Sequence, residues 1–232
     1  MYPDTMNSRT VVNSYDEGLR QFMLGVFNNM ALGLGISAVI AYFVGTSPDL
    51  LSLFFGGMQK WIVMLAPLAI VFFISFKISS MRPSTARAWF FTYAATMGIS
   101  LATVFAVYKM GSIANAFFST SIMFGLMSIW GYTTKRDLTQ MGSFLMMGVI
   151  GLLVVGLINI FLQSSMLTLV ISAVSVIVFT LLTAFDVQNL KYVYDEADGD
   201  DRERAGVMGA LSLYINFLNI FISMLQLFGD RK

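Results

Sequence analysis

The chain has 232 residues, 57% hydrophobic and 12% charged, with a formal net charge of +1. A soluble domain carries about 25% charged residues, so this composition describes an integral membrane protein, and the near-neutral balance leaves no nucleic-acid footprint. Cysteine and histidine are absent, which excludes disulfides, thiolate chemistry and a Ser-His-Asp triad, and leaves any proton sensing to carboxylates.

Residues 1–21 are polar and mixed in charge, with Asp4, Arg9, Asp16, Glu17 and Arg20. They read as a cytoplasmic tail. No basic segment leads into a short apolar run with a small-residue cleavage site, so the first span is expected to serve as the targeting signal. Seven apolar runs follow, at 22–45, 61–79, 88–108, 112–132, 142–162, 166–188 and 205–229. As helices, runs of about 20 residues cross a ~30 Å hydrocarbon core. The expected fold is an all-α, seven-helix transmembrane domain over 22–229, ending in a short tail at 230–232.

Pro48 and Pro83 punctuate the first two gaps. The gaps at 109–112 and 163–165 are very short, so spans 3–4 and 5–6 are expected to be tight antiparallel hairpins. Glycines such as Gly33, Gly35, Gly148, Gly151 and Gly156 read as packing positions.

Lys and Arg set orientation. Ten of them (Arg9, Arg20, Lys77, Arg82, Arg87, Lys135, Arg136, Lys191, Arg202 and Arg204) fall on one side, and Lys60, Lys109, Arg231 and Lys232 on the other. This places the N-terminus in the cytoplasm and the C-terminus outside.

The last span carries Gly209, Ser212, Asn216, Asn219, Ser223 and Gln226 three or four residues apart. That spacing puts all six on one helix face. A small-and-polar stripe turns to protein or water rather than lipid, so this helix is expected to be the inner one.

Asp186 is the informative charge within a span. Twenty residues into the sixth helix, about 30 Å, it lies at the cytoplasmic edge of the hydrocarbon, on the broad face of Ser172, Ser175 and Thr183. It reads either as a boundary carboxylate reaching headgroup water or as an inward-facing group with a partner. Lys77 and Arg82 end the second span at the same depth, so an ion pair to Asp186 is a candidate latch. Asn216 reads either as an interhelical hydrogen-bonding group or as an amide oxygen lining a cation path near Asp186.

The acidic loop with Asp195, Glu196, Asp198, Asp200 and Asp201 fails the calcium-loop pattern: counted from Asp198, Glu203 stands where glycine is needed and Gly209 where glutamate is needed. It reads as a solvated loop. No P-loop, dinucleotide fingerprint or zinc-protease motif is present, and the last span holds no lysine for a Schiff base. No enzyme activity and no cofactor are expected.

Three stretches carry a resemblance: MFGLMSIWGYTTKRDL at 123–138, VIVFTLLTAFDVQNLK at 176–191 and MGALSLYINFLNIFISMLQLFGDRK at 208–232. Together, in this order and over seven spans, they resemble the Bax inhibitor-1 (transmembrane Bax inhibitor motif) family in its bacterial branch. The resemblance implies two groups of three helices around a central C-terminal helix, in the bacterial inner membrane. It also implies a pH-sensitive calcium leak gated near the cytoplasmic side by two aspartates. Asp186 matches the first of these. Asn216, in LYINFLN, occupies the acidic position of the second. The expectation is therefore a cation leak with one carboxylate as pH sensor. Calcium is the permeant ion, Asp186 a transient cation contact, and Ser212, Asn219, Ser223 and Gln226 the inner polar stripe. The alternative is a non-conducting interaction protein that modulates a membrane-bound quality-control protease.

Overall fold

The structure, a computed structural model, describes the backbone of residues 4–232 and the side chains from Glu17 onward. The described chain is helical throughout: α1 (Asp4–Thr46), α2 (Pro48–Phe55), α3 (Gln59–Lys77), α4 (Pro83–Val107), α5 (Met110–Thr133), α6 (Thr139–Leu162), α7 (Ser165–Glu196) and α8 (Gly199–Phe228). All but α2 are long and apolar enough to cross a membrane. The seven expected spans are thus α1 and α3–α8, each within a few residues of its apolar run except where charged turns extend it. The polar segment expected as a separate tail is continuous with α1 from Asp4 onward. The side chains of Arg9 and Asp16 lie outside the described residues.

The breaks follow local chemistry. Pro48 and Pro83 each sit in the first turn of the next helix, where a missing N–H costs nothing and φ is already helical. Gln163 ends α6 in the left-handed region at φ 50°. Ser164 then caps α7, its hydroxyl accepting from the Leu167 amide at 3.3 Å.

Helix α8 is the axis. Of its most apolar stretch, 67% is buried, against 33% or less in every other span. Around it stand α1, α3 and α4 on one side and α5, α6 and α7 on the other. In each group one peripheral helix, α3 or α6, packs on its neighbours and stays off the axis. The expected two-plus-one arrangement is therefore the observed one.

Close approach uses small residues, because packing must substitute for a hydrophobic drive between helices in lipid. A Cβ on Gly98 of α4 would sit 2.8 Å from the Ser37 carbonyl oxygen of α1, and one on Gly131 of α5 would overlap the Ala184 backbone of α7. At the α1–α4–α8 crossing, the Ser37 hydroxyl meets the Tyr214 hydroxyl at 2.6 Å and donates to the Ala94 carbonyl at 2.6 Å. Phe90 and Tyr93 pack edge-on against the Tyr214 ring.

One expectation is corrected. Helices α6 and α7 form the foreseen hairpin, but α4 and α5 do not. A two-residue connection joins them, yet α4 packs on α1 and α5 on α7 and α8. Gly98 lets α4 close on α1 and Gly131 lets α5 close on α7, and the two helices diverge from their shared corner.

Candidate functional site

Helices α7 and α8 run side by side in opposite directions, and their polar residues meet in register. Near one end, the Ser172 hydroxyl donates to the Gln226 side-chain oxygen at 2.6 Å. Further along, the Asn216 amide nitrogen donates to Asp186 Oδ2 at 2.7 Å. Asn216 is buried and Asp186 half-buried. Asp186 thus turns one carboxylate oxygen, Oδ2, to the central helix. Of the two expectations for Asn216, the interhelical hydrogen bond is the one formed, and the amide presents its nitrogen to the carboxylate.

The latch expected from Lys77 or Arg82 is not formed. Ion pairs among the described residues are Arg20–Glu17, Arg202–Asp198 and Arg204–Asp201. The reason is placement: α3, which ends at Lys77, packs on α2 and α4 rather than α7, and both cations are exposed. Depth in the membrane matched; azimuth did not.

The rest of the stripe is divided. Asn219 donates to the Ile215 carbonyl of its own helix at 2.8 Å. Ser223 is buried, Ser212 half-buried and Gln226 exposed. Only Asn216 and Gln226 of these reach α7 by side-chain hydrogen bonds. Among the described residues, no three acidic, histidine or cysteine side chains converge as a metal site would require. A cation at Asp186 would meet a single carboxylate.

Two residues that bracket the site were missed. Gln188, buried, accepts from the Leu138 amide at 2.8 Å and donates to the Arg136 carbonyl at 2.8 Å. It pins the α5–α6 connection to α7 two residues beyond Asp186. Lys191 adds a bond to the Tyr132 carbonyl at 2.9 Å and lies over the Tyr132 ring. The available signal was a glutamine and a lysine inside one helical run, three residues apart and on a face other than that of Asp186. On the neighbouring helix, Arg204 donates to the Met81 carbonyl at 3.0 Å and pairs with Asp201. The end of the bundle nearest Asp186 is thereby tied across α8 to the α3–α4 connection.

Buried hydroxyls occur on α7 and on α5, which packs on both α7 and α8. Thr120 and Ser128 of α5 and Thr180 of α7 have no hydrogen-bond partner among the described residues. Such groups are ordinarily satisfied by ordered water.

The family described as inhibitor of apoptosis-promoting Bax1 matches residues 19–232. An uncharacterized protein of Caulobacter vibrioides is 44% identical over 230 residues, covering 94% of this chain and 92% of its own. An uncharacterized protein of Rickettsia prowazekii is 38% identical, covering 100% of this chain and 98% of its own. The inner membrane protein YbhL of Escherichia coli is 36% identical over 219 residues, covering 93% and 94%.

Proposed function

The chain belongs to the Bax inhibitor-1 family, and from that premise we propose that it is a pH-sensitive cation leak, chiefly for calcium, with Asp186 as its single gating carboxylate. The observation that carries this reading is the Asn216–Asp186 hydrogen bond between α8 and α7. It joins the axis of the bundle to a neighbouring helix through a group whose charge changes with protonation. An ionised carboxylate accepts the amide N–H as a charge-assisted bond, stronger than a neutral one. Protonation weakens that bond, so the α7–α8 contact depends on pH.

The unpartnered hydroxyls of Thr120, Ser128 and Thr180 support single sites for ordered water on α5 and α7, and water supplies the oxygen ligands that a hard cation exchanges. In the family pattern a second aspartate would stand at Asn216. Here the site has one negative charge in place of two, which weakens cation attraction and leaves one proton to titrate.

A second reading has its own observation. Asn219 is bound to its own backbone and Gln226 to Ser172, as expected of polar groups that act as helix glue. On that reading the protein does not conduct and instead modulates a membrane-bound quality-control protease. Calcium entry into liposomes containing the purified chain separates the two. The leak reading expects entry above that of protein-free liposomes, abolished or made pH-independent by Asp186→Asn. Entry equal to protein-free liposomes at every pH favours the second.

A further inference from the structure

The divergence of α4 and α5 leaves a lateral apolar cleft of about 330 Å³ between the two helix groups. Its floor includes Ala41 of α1, Leu101 of α4, and Phe217 and Phe221 of α8, all buried. Its rim on α5 includes Met110 and Phe118, which are 52% and 67% exposed. The cleft is thus closed behind and open sideways, toward the hydrocarbon in a membrane. The last turn of α4 (Val104, Phe105) and the first turn of α5 (Met110, Ile113) border it, so one end lies at the corner joining those helices.

That corner is where the C-terminal tail folds back. The Lys109 amide donates to the Asp230 carbonyl at 3.0 Å, and the Lys232 amide to the Val107 carbonyl at 2.9 Å. This short antiparallel pairing brings the backbones of Lys109, Arg231 and Lys232 together, with Arg231 on the Tyr108 side. Lys232 Nζ reaches the Phe105 carbonyl at 2.8 Å, on a residue of the cleft itself. The Arg231 guanidinium lies 6.0 Å from the Tyr108 ring centre. All three cations are exposed, and none takes part in the ion pairs found among the described residues. The one acidic side chain of the tail, Asp230, borders a separate hollow with Ser112 and Asn115.

We propose that this cleft binds an anionic phospholipid, one acyl chain lying in the groove and the phosphate headgroup held by Lys109, Arg231 and Lys232. The groove alone would accept any acyl chain. The cations at its end select the headgroup, since a basic cluster beside a span attracts anionic lipid. Because the lipid's chain lies against Phe217 and Phe221 of α8, the site couples membrane composition to the central helix. The proposal is independent of whether the protein conducts.

The test is native mass spectrometry of the full chain in detergent, titrated with phosphatidylglycerol or phosphatidylcholine of identical acyl chains. The expected result is preferential retention of phosphatidylglycerol, falling roughly five-fold for each cation removed in Lys109→Gln, Arg231→Gln and Lys232→Gln. Ala114→Trp, on the exposed side of the cleft, is expected to displace the retained lipid while leaving all three cations in place. Equal retention of the two lipids by the unaltered chain overturns the proposal whatever the variants do. So does phosphatidylglycerol retention unchanged in the triple glutamine chain or in Ala114→Trp.

Discussion

Asn216 of the central helix donates to Asp186 of α7 at 2.7 Å, and no cation competes for that carboxylate among the ion pairs of the described residues. The pair sets a neutral amide, not a second acid, beside the carboxylate. Asp186 is therefore a single ionisable group facing a neutral donor.

Removing the donor should therefore be costly. Asn216→Leu leaves the half-buried carboxylate without its partner, and the expected loss is about 1–3 kcal/mol. Thermal unfolding in detergent checks this. Asp186→Asn keeps a hydrogen-bonding group of the same shape and should cost less. A larger loss for Asp186→Asn than for Asn216→Leu would contradict the assigned pairing.

Glycine positions separate close contacts from open lipid faces. Gly131→Ala drives a methyl group into the Ala184 backbone, and such overpacking typically costs about 1–3 kcal/mol. Gly151→Ala on α6 meets nothing within 4 Å, so helix propensity alone acts and stability should rise by up to ~1 kcal/mol. Unfolding midpoints shifted in opposite directions are the expected outcome.

Gln188→Ala should free the connection between α5 and α6. The Leu138 amide loses its acceptor, and hydrogen exchange at that amide is expected to accelerate while exchange in the core of α8 stays unchanged. Acceleration spread evenly over α7 and α8 would indicate general destabilisation instead.

The same connection gives a pH prediction. The Thr139 hydroxyl and amide both donate to Asp137, and these bonds hold its carboxyl below the ordinary carboxylate range. A lowered value in the folded state means the brace contributes fully above the ordinary range and is lost as pH falls through the lowered one. The stability difference between the unaltered chain and Asp137→Ala should therefore shrink on acidification. A difference that grows at low pH would contradict it.

Much of this fold was legible from hydropathy, because bilayer thickness dictates span length and every backbone polar group in lipid must be satisfied within a helix. The stripe from Gly209 to Gln226 marked α8 as the inner helix for the same reason. The divergence of α4 and α5 was not legible: a two-residue turn brings helix ends together but does not decide which faces pack. The partner of Asp186 failed on similar grounds. Sequence fixes depth along a span, and Lys77 and Arg82 share that depth, but the angle at which α3 meets the bundle turns both away. Asn216, on the stripe already identified, was the group in reach. Gln188 and Lys191 went unnoticed because a single pair three residues apart marks a shared face without showing what that face meets.

The central claim is the proposal that this chain is a cation leak governed by one carboxylate. Calcium entry into liposomes should be recorded across about pH 5 to pH 8 for the unaltered chain and for Asn216→Asp, which sets a second acid beside Asp186. The account predicts a single titration step in the unaltered chain and two in Asn216→Asp, because two close carboxylates lose their protons in coupled, separate steps. Two resolved steps in the unaltered chain, or conduction by Asn216→Asp alone, would contradict it.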